Sequence, residues 1–260
     1  MIKTYSLPES ARKVIFEFTN LPIADKKIIA PYYINTKSQR GGLRVLSGKG
    51  DPGEIAREVK VQSQLKGIDL YKLSESQIRD FMTSNHIGIE CSGFIVHVLN
   101  YWLRMNGKRP LIKYIRFNNN NFINRIKRLF RPVEQLGANT ITSELNCDKL
   151  HRLTDIRPGD LIRSKGQRKN SHHILLISEV TFEDDVLKEV EYVHSIRGYE
   201  EENGVRFGKI LINNQEDEIQ NQTWTEIKNG RNWTYEGLIN QLEDNGVRRL
   251  KHINLRELEK

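Results

Sequence analysis

The sequence predicts an α+β protein: an apolar helix packed on an antiparallel sheet, with a helical amino-terminal region in front and a basic insertion between helix and strands. Three observations predict it. Phe94, Ile95, Val98, Leu99 and Trp102 recur at i, i+1, i+4, i+5 and i+8, one apolar face of a helix expected to run from Ser92 to about Met105. Beyond Pro158-Gly159-Asp160, short apolar runs at Leu161-Ile162, Ile174–Ile177, Val190–Ile196 and Val205–Ile212 alternate with polar turns, as antiparallel strands do. The composition is that of a globular chain: 260 residues, 37% hydrophobic and 28% charged, enough to bury a core without staples.

Each element has its own local reason. The first 85 residues read as helices and loops. Asp51-Pro52-Gly53-Glu54 puts a capping aspartate before a proline at the first helical position, and Ser74-Glu75-Ser76-Gln77 has capping-box spacing ahead of Ile78 and Phe81. Glycines and the basic residues Lys37, Arg40, Arg44 and Lys49 mark an exposed loop between Thr36 and Gly50, with at most a short strand at Leu43–Leu46. Asn213–Gln222 is polar and reads as a loop, and Trp224, Trp233, Tyr235, Leu238 and Ile239 mark a last packing element with a short helix over Thr234–Leu242. Asn118–Asn121 is a low-complexity tract. The organisation expected is an amino-terminal region, 1–85, packed on a domain spanning 86–260 that carries the insertion at about 106–133.

Charge is unevenly placed. The chain carries a formal +8, and residues 103–133 hold Arg104, Lys108, Arg109, Lys113, Arg116, Arg125, Lys127, Arg128 and Arg131 with no acid. Tyr114, Phe117, Phe122 and Phe130 lie among these cations, so the segment is either a solvated insertion or a surface for nucleic acid, anionic lipid or another anionic polymer. The longest uncharged run, Cys91–Leu103, has 13 residues, short of the roughly 20 a spanning helix needs. The first residues lack the apolar stretch of a secretory signal, so the expectation is a cytoplasmic protein by default, or one exported by a signal-independent route. Two cysteines, Cys91 and Cys147, allow at most one disulfide and suit a reducing compartment.

The chemistry centres on Cys91, where the loop Asn85–Glu90 meets the apolar helix. At a helix amino terminus the unpaired backbone donors and the dipole favour thiolate, and Gly93 is expected to keep the first turn uncrowded for a substrate. Ser171-His172-His173-Ile174 puts a histidine at the head of a buried strand, and Val193-His194-Ser195 puts another inside the next. Same-face residues of adjacent antiparallel strands lie about 5 Å apart, so one imidazole can accept the thiol proton while the second orients the first. His172 and His173 face opposite sides, so only one of them can serve. His86, His97, His151 and His252 have no supporting motif, and Cys91, His86 and His97 lack regular zinc-ligand spacing.

In order along the chain, Glu90-Cys91-Ser92-Gly93-Phe94, Arg157-Pro158-Gly159-Asp160-Leu161, His173-Ile174-Leu175-Leu176 and His194-Ser195 resemble the motifs of the NlpC-type papain-like cysteine peptidases, relatives of the CHAP amidases. The resemblance covers residues 86–212 and implies a papain-like core, with Cys91 as nucleophile, His173 as base and His194 as orienting residue. The backbone N–H of Cys91 would be an oxyanion donor. Glu90 stands where the family has Asp, and Cys91 and His173 are 82 residues apart, the basic segment filling the excess. The family's Pro-Tyr motif has a counterpart in Pro31-Tyr32, 59 residues before Cys91. Tyr32, Ser92 and His172 are the substrate-binding candidates. No cofactor or metal is implied. The function expected is hydrolysis of an amide bond through a thioester, in peptidoglycan stem peptides or a related peptide. The alternatives are acyl transfer to an acceptor other than water, or a catalytically inactive relative that grips an anionic polymer through residues 103–133.

Overall fold

The computed structural model describes residues 1–35, 44–118, 121–165 and 172–258, and is a mixed α+β chain with a mostly antiparallel sheet. The described elements are β1 (Ile2–Ser6), α1 (Glu9–Thr19), β2 (Leu21–Ile23), β3 (Lys26–Ile28), α2 (Pro52–Leu65), α3 (Glu75–Ser84), α4 (Cys91–Met105), α5 (Phe122–Phe130), α6 (Ala138–Ile141) and β4 (Cys147–Lys149). There follow β5 (Leu161–Lys165), β6 (His172–Glu183), β7 (Val186–Ile196), β8 (Gly204–Leu211), β9 (Thr223–Trp224), α7 (Trp233–Ile239) and β10 (Gly246–Leu250).

Both expected helix starts form. Asp51 accepts from the Glu54 N–H at 2.8 Å while the Glu54 carboxylate accepts from the Asp51 N–H, and Ser74 and Gln77 make the same reciprocal pair. Arg44–Ser47 is a 3-10 turn rather than a strand. The expected loop over 36–43, the middle of the Asn118–Asn121 tract and Ser171 lie outside the described residues. The carboxy-terminal helix is one turn shorter than its pattern, ending at Ile239.

The main sheet runs β4-β10-β5-β6-β7-β8-β9, with β1 also against β6. The twelve-residue β6 organises it. Residues 172–176 pair with β5, and residues 179–183 pair with β1 on the same side. Between them the register with β7 slips at Ser178, whose carbonyl accepts from the Leu7 N–H at 2.8 Å. A one-residue bulge reverses side-chain parity. Leu175 and Ile177 before it, and Val180 and Phe182 after it, therefore share one core although their numbers change from odd to even.

The sheet separates two apolar clusters. On one side Ile174, Leu176, Val193 and Val205 pack with Phe94, Ile95, Val98 and Trp102 of α4 and Phe18 of α1. On the other, Leu175, Ile177, Tyr192 and Ile210 pack with Trp224 and Leu238. The central helix lies on the sheet as its stripe predicts. The amino-terminal strand is the main departure: all but one of its residues are exposed, so no alternation of apolar and polar residues marks it. Among the described residues no helix is long and apolar enough to cross a membrane.

Candidate active site

Cys91 is the first residue of α4, and its position is fixed from three directions. The Ile89 N–H donates to the Pro31 carbonyl at 2.9 Å, the Glu90 N–H to the Gly48 carbonyl at 3.0 Å, and the Ser195 hydroxyl to the Ile89 carbonyl at 2.7 Å. Tyr32 pairs with Ile89 as an isolated bridge and donates its N–H to the Asn203 side chain at 3.0 Å. The Pro-Tyr segment thus lies beside the cysteine loop despite its distance in sequence. Burial raises the Tyr32 hydroxyl pKa, helped by Cys91 and Glu90, so the phenol stays neutral within electrostatic reach of the sulfur.

Glu90 and Ser92 face inward. The Ser92 hydroxyl donates to Glu90 Oε1 at 2.5 Å and accepts from Lys49 Nζ at 2.7 Å, Lys49 and Glu90 form an ion pair, and Lys49 also donates to the Leu136 carbonyl at 2.8 Å. This buried network satisfies Ser92 completely and pins the loop. Gly93 also serves packing. A Cβ there would lie 2.7 Å from the Gly48 carbonyl oxygen, so the glycine admits the neighbouring backbone rather than a substrate.

The thiol is only 3% exposed. Its Sγ lies 3.9 Å from the His172 carbonyl oxygen, and the backbone N–H groups of Ile174 and Ser92 are near enough to favour the thiolate, so it sits against β6 beside His173. No hydrogen bond joins it to an imidazole among the described residues. The helix terminus was expected to favour thiolate, but the balance runs the other way. Burial, with Glu90 adjacent, pushes the thiol up to about 12 against the opposing pull of Lys49 and the two N–H groups. Cys147 is likewise a buried free thiol pushed up to about 12.

His173 and His194 meet. His173 Nε2 and His194 Nδ1 are 2.8 Å apart, and His194 Nε2 is 3.0 Å from Glu226 Oε1. Glu226 is buried and held all round: Oε2 accepts from the Tyr192 hydroxyl at 2.8 Å and the Thr234 hydroxyl at 2.7 Å, and Arg206 Nε lies 2.6 Å from Oε1. Burial alone would raise this carboxyl, but His194 and the three hydrogen bonds outweigh it and hold the pKa near 2. An ionised Glu226 fixes every proton in the chain. His194 then carries a hydrogen on Nε2, and with a neutral His194 its Nδ1 accepts from His173 Nε2–H and His173 Nδ1 is left with a lone pair. Burial and neighbouring His194 lower His173 to about 3, so that ring is neutral.

The two rings leave the sheet on the face of Leu175 and Tyr192, while Cys91 packs with the rest of α4 in the cluster on the other face, so the structure brings His173 and His194 together but leaves the Cys91 thiol apart from both rings. His172 shares parity with Ile174 on the α4 side. Its buried Nδ1 has no partner among the described residues, and its pKa is lowered by burial and by Arg163 and Lys165. Sequence reasoning missed Glu226, together with Arg206, Tyr192 and Thr234 around it. A lone acid after Trp224 carries no motif, and only the pairing of β7 with β8 and β9 brings it to His194. Among the described residues no cluster of three His, Cys, Asp or Glu side chains is placed to hold a metal ion. Comparison with protein-family models, curated proteins and solved structures finds no match to this chain.

Proposed function

We propose that the chain is a cysteine hydrolase that cleaves an amide bond through a thioester, with a peptide such as a peptidoglycan stem peptide as substrate. The observation that supports this reading is the chain Glu226–His194–His173, joined at 3.0 and 2.8 Å, with the Cys91 sulfur 3.9 Å from the carbonyl oxygen of His172, the residue before His173.

In the reaction, His173 Nδ1 takes the thiol proton as Cys91 Sγ bonds to the scissile carbonyl carbon, and the carbonyl π electrons move to oxygen. The oxyanion collapses, the C–N bond breaks, and His173 returns its proton to the leaving amine. Water then adds to the thioester with His173 again as base, releasing the acid and restoring the thiol. His194 and Glu226 act through His173, keeping its tautomer and stabilising the imidazolium once formed. Both thiol and imidazole rest neutral, so charge separates only as the substrate reacts, and binding must uncover the sulfur and bring Nδ1 to it.

The experiment is incubation with purified stem peptides and cell-wall fragments, read by mass spectrometry, with Cys91→Ala as control. The expected result is matched amine and acid products and an acyl adduct on Cys91, all absent in the variant. Products formed equally by Cys91→Ala, or neither product nor adduct from any peptide, would contradict the proposal. The sealed thiol favours a second reading, an inactive relative that binds an anionic polymer through residues 103–133. Binding that survives Cys91→Ala and weakens steeply with salt is its signature.

A further inference from the structure

The basic segment holds one helix that packs none of its side chains into the core. In α5 no residue is buried, and Phe122 is 75%, Leu129 71% and Phe130 77% exposed. Phe122, Ile123, Ile126, Leu129 and Phe130 fall at i, i+1, i+4, i+7 and i+8, a single apolar face along the whole helix. Arg125, Lys127 and Arg128 occupy the rest of it. A groove of about 590 Å³ lies along this face, lined by Phe122, Ile126 and Leu129 of the helix and by Ile112, Ile115 and Phe117, with Lys113, Arg125 and Arg128 also in its lining. Exposed apolar side chains in such number are unfavourable in water unless something covers them.

The charge identifies the occupant. Residues 103–133 are cationic without a single acid, which excludes a second copy of the same surface by like-charge repulsion and calls for an anionic partner. Nucleic acid would satisfy the cations but gives two phenylalanines, two isoleucines and a leucine no burial. An anionic bilayer surface satisfies both sets at once: headgroup phosphates meet the basic side chains while the apolar face enters the acyl boundary. We propose that α5 is an interfacial helix that holds the protein on an anionic phospholipid surface. This assignment is independent of the catalytic reading.

The test is co-sedimentation of the full chain with vesicles of phosphatidylcholine and phosphatidylglycerol in equal parts, against phosphatidylcholine alone. The wild type should bind the anionic vesicles at least tenfold more tightly than the neutral ones and lose affinity as salt rises. The combined variant Phe122→Ser, Leu129→Ser, Phe130→Ser and the variant Arg125→Gln, Lys127→Gln should each bind at least tenfold more weakly. Because those side chains are exposed, both should keep the wild-type thermal midpoint. Wild-type protein left in the supernatant with anionic vesicles would overturn the proposal. So would an apolar variant that sediments like wild type, or wild-type protein that binds a 20-base-pair duplex at least tenfold more tightly than the anionic vesicles, since the surface would then be a site for nucleic acid. Self-association through α5 in place of vesicle binding would overturn it as well.

Discussion

Glu226 accepts three hydrogen bonds and an ion pair within a buried cage, and the order of protons out to His173 Nδ1 follows from its charge. In Glu226→Gln the amide nitrogen can turn toward the Tyr192 and Thr234 hydroxyls, which rotate to accept, so the geometry survives and the charge does not. The expected consequence is a loss of at least about tenfold in Cys91 reactivity, a part of the 10²–10⁴ that a positioned proton acceptor contributes. Leaving Arg206 without its carboxylate should also remove about 3 kcal/mol of stability, read by urea unfolding. On the acid side the pH dependence has one sign. His173 is held down to about 3 and Glu226 to about 2, each below its ordinary value of 6.5 or 4.5. The unfolded chain therefore binds more protons than the folded one across both intervals. Stability should be level from pH 7 to about 8, fall above about 9 as the unfolded thiols of Cys91 and Cys147 ionise while the folded ones, held up to about 12, do not, and on the acid side decline below about 6.5 and faster below about 4.5. His173→Ala should reduce the first part of that decline, to which His97 and His172, also lowered by burial, contribute the rest. A thermal midpoint unchanged between pH 7 and 5 in the wild type would contradict it.

At the scale of elements, what was legible in the sequence is what local chemistry decides. Asp51 with Glu54 and Ser74 with Gln77 announce α2 and α3, and Asp51→Ala should cost about 1 kcal/mol. The stripe of Phe94, Val98 and Trp102 gives α4, and the buried runs give β5 to β8, because each faces an apolar cluster that its pattern records. β1 was not legible, since its residues are exposed and its reason for being a strand is the free edge of β6. β10 was not legible either, because arginines fill two of its five positions and one of them, Arg248, is buried. In the candidate site the meeting of His173 and His194 was legible from strand spacing, the roles given to Cys91, His173 and Tyr32 came from the resemblance to family motifs, and Glu226 was not legible at all. The thiol's protonation was misjudged because the helix terminus is visible in sequence and desolvation is not. Gly208 ties an element to the site: a Cβ on this β8 residue would strike the ring and hydroxyl of Tyr192, which bonds Glu226. Gly208→Ala should destabilise by about 1–3 kcal/mol and lower Cys91 reactivity together, where a merely structural glycine would do only the first.

For the whole molecule, the amino terminus is built into the sheet that carries the histidines. Removing residues 1–6 bares the 179–183 edge of β6 and separates Tyr5 from Phe182, whose rings meet edge to face at 6.1 Å. The thermal midpoint should fall by about 5 °C or more, with aggregation through the exposed edge. A midpoint matching the full chain would show that β1 contributes nothing. The central claim, that His173 acts as base for Cys91, is tested most directly by alkylation with iodoacetamide at pH 7.5, followed residue by residue by mass spectrometry. Cys147 serves as the control, being equally buried and equally raised in pKa but without an imidazole hydrogen-bonded relay beside it. The account predicts that Cys91 alkylates at least tenfold faster than Cys147 and that the advantage disappears in His173→Ala. Equal rates at the two cysteines, or a Cys91 rate unchanged in that variant, would contradict it.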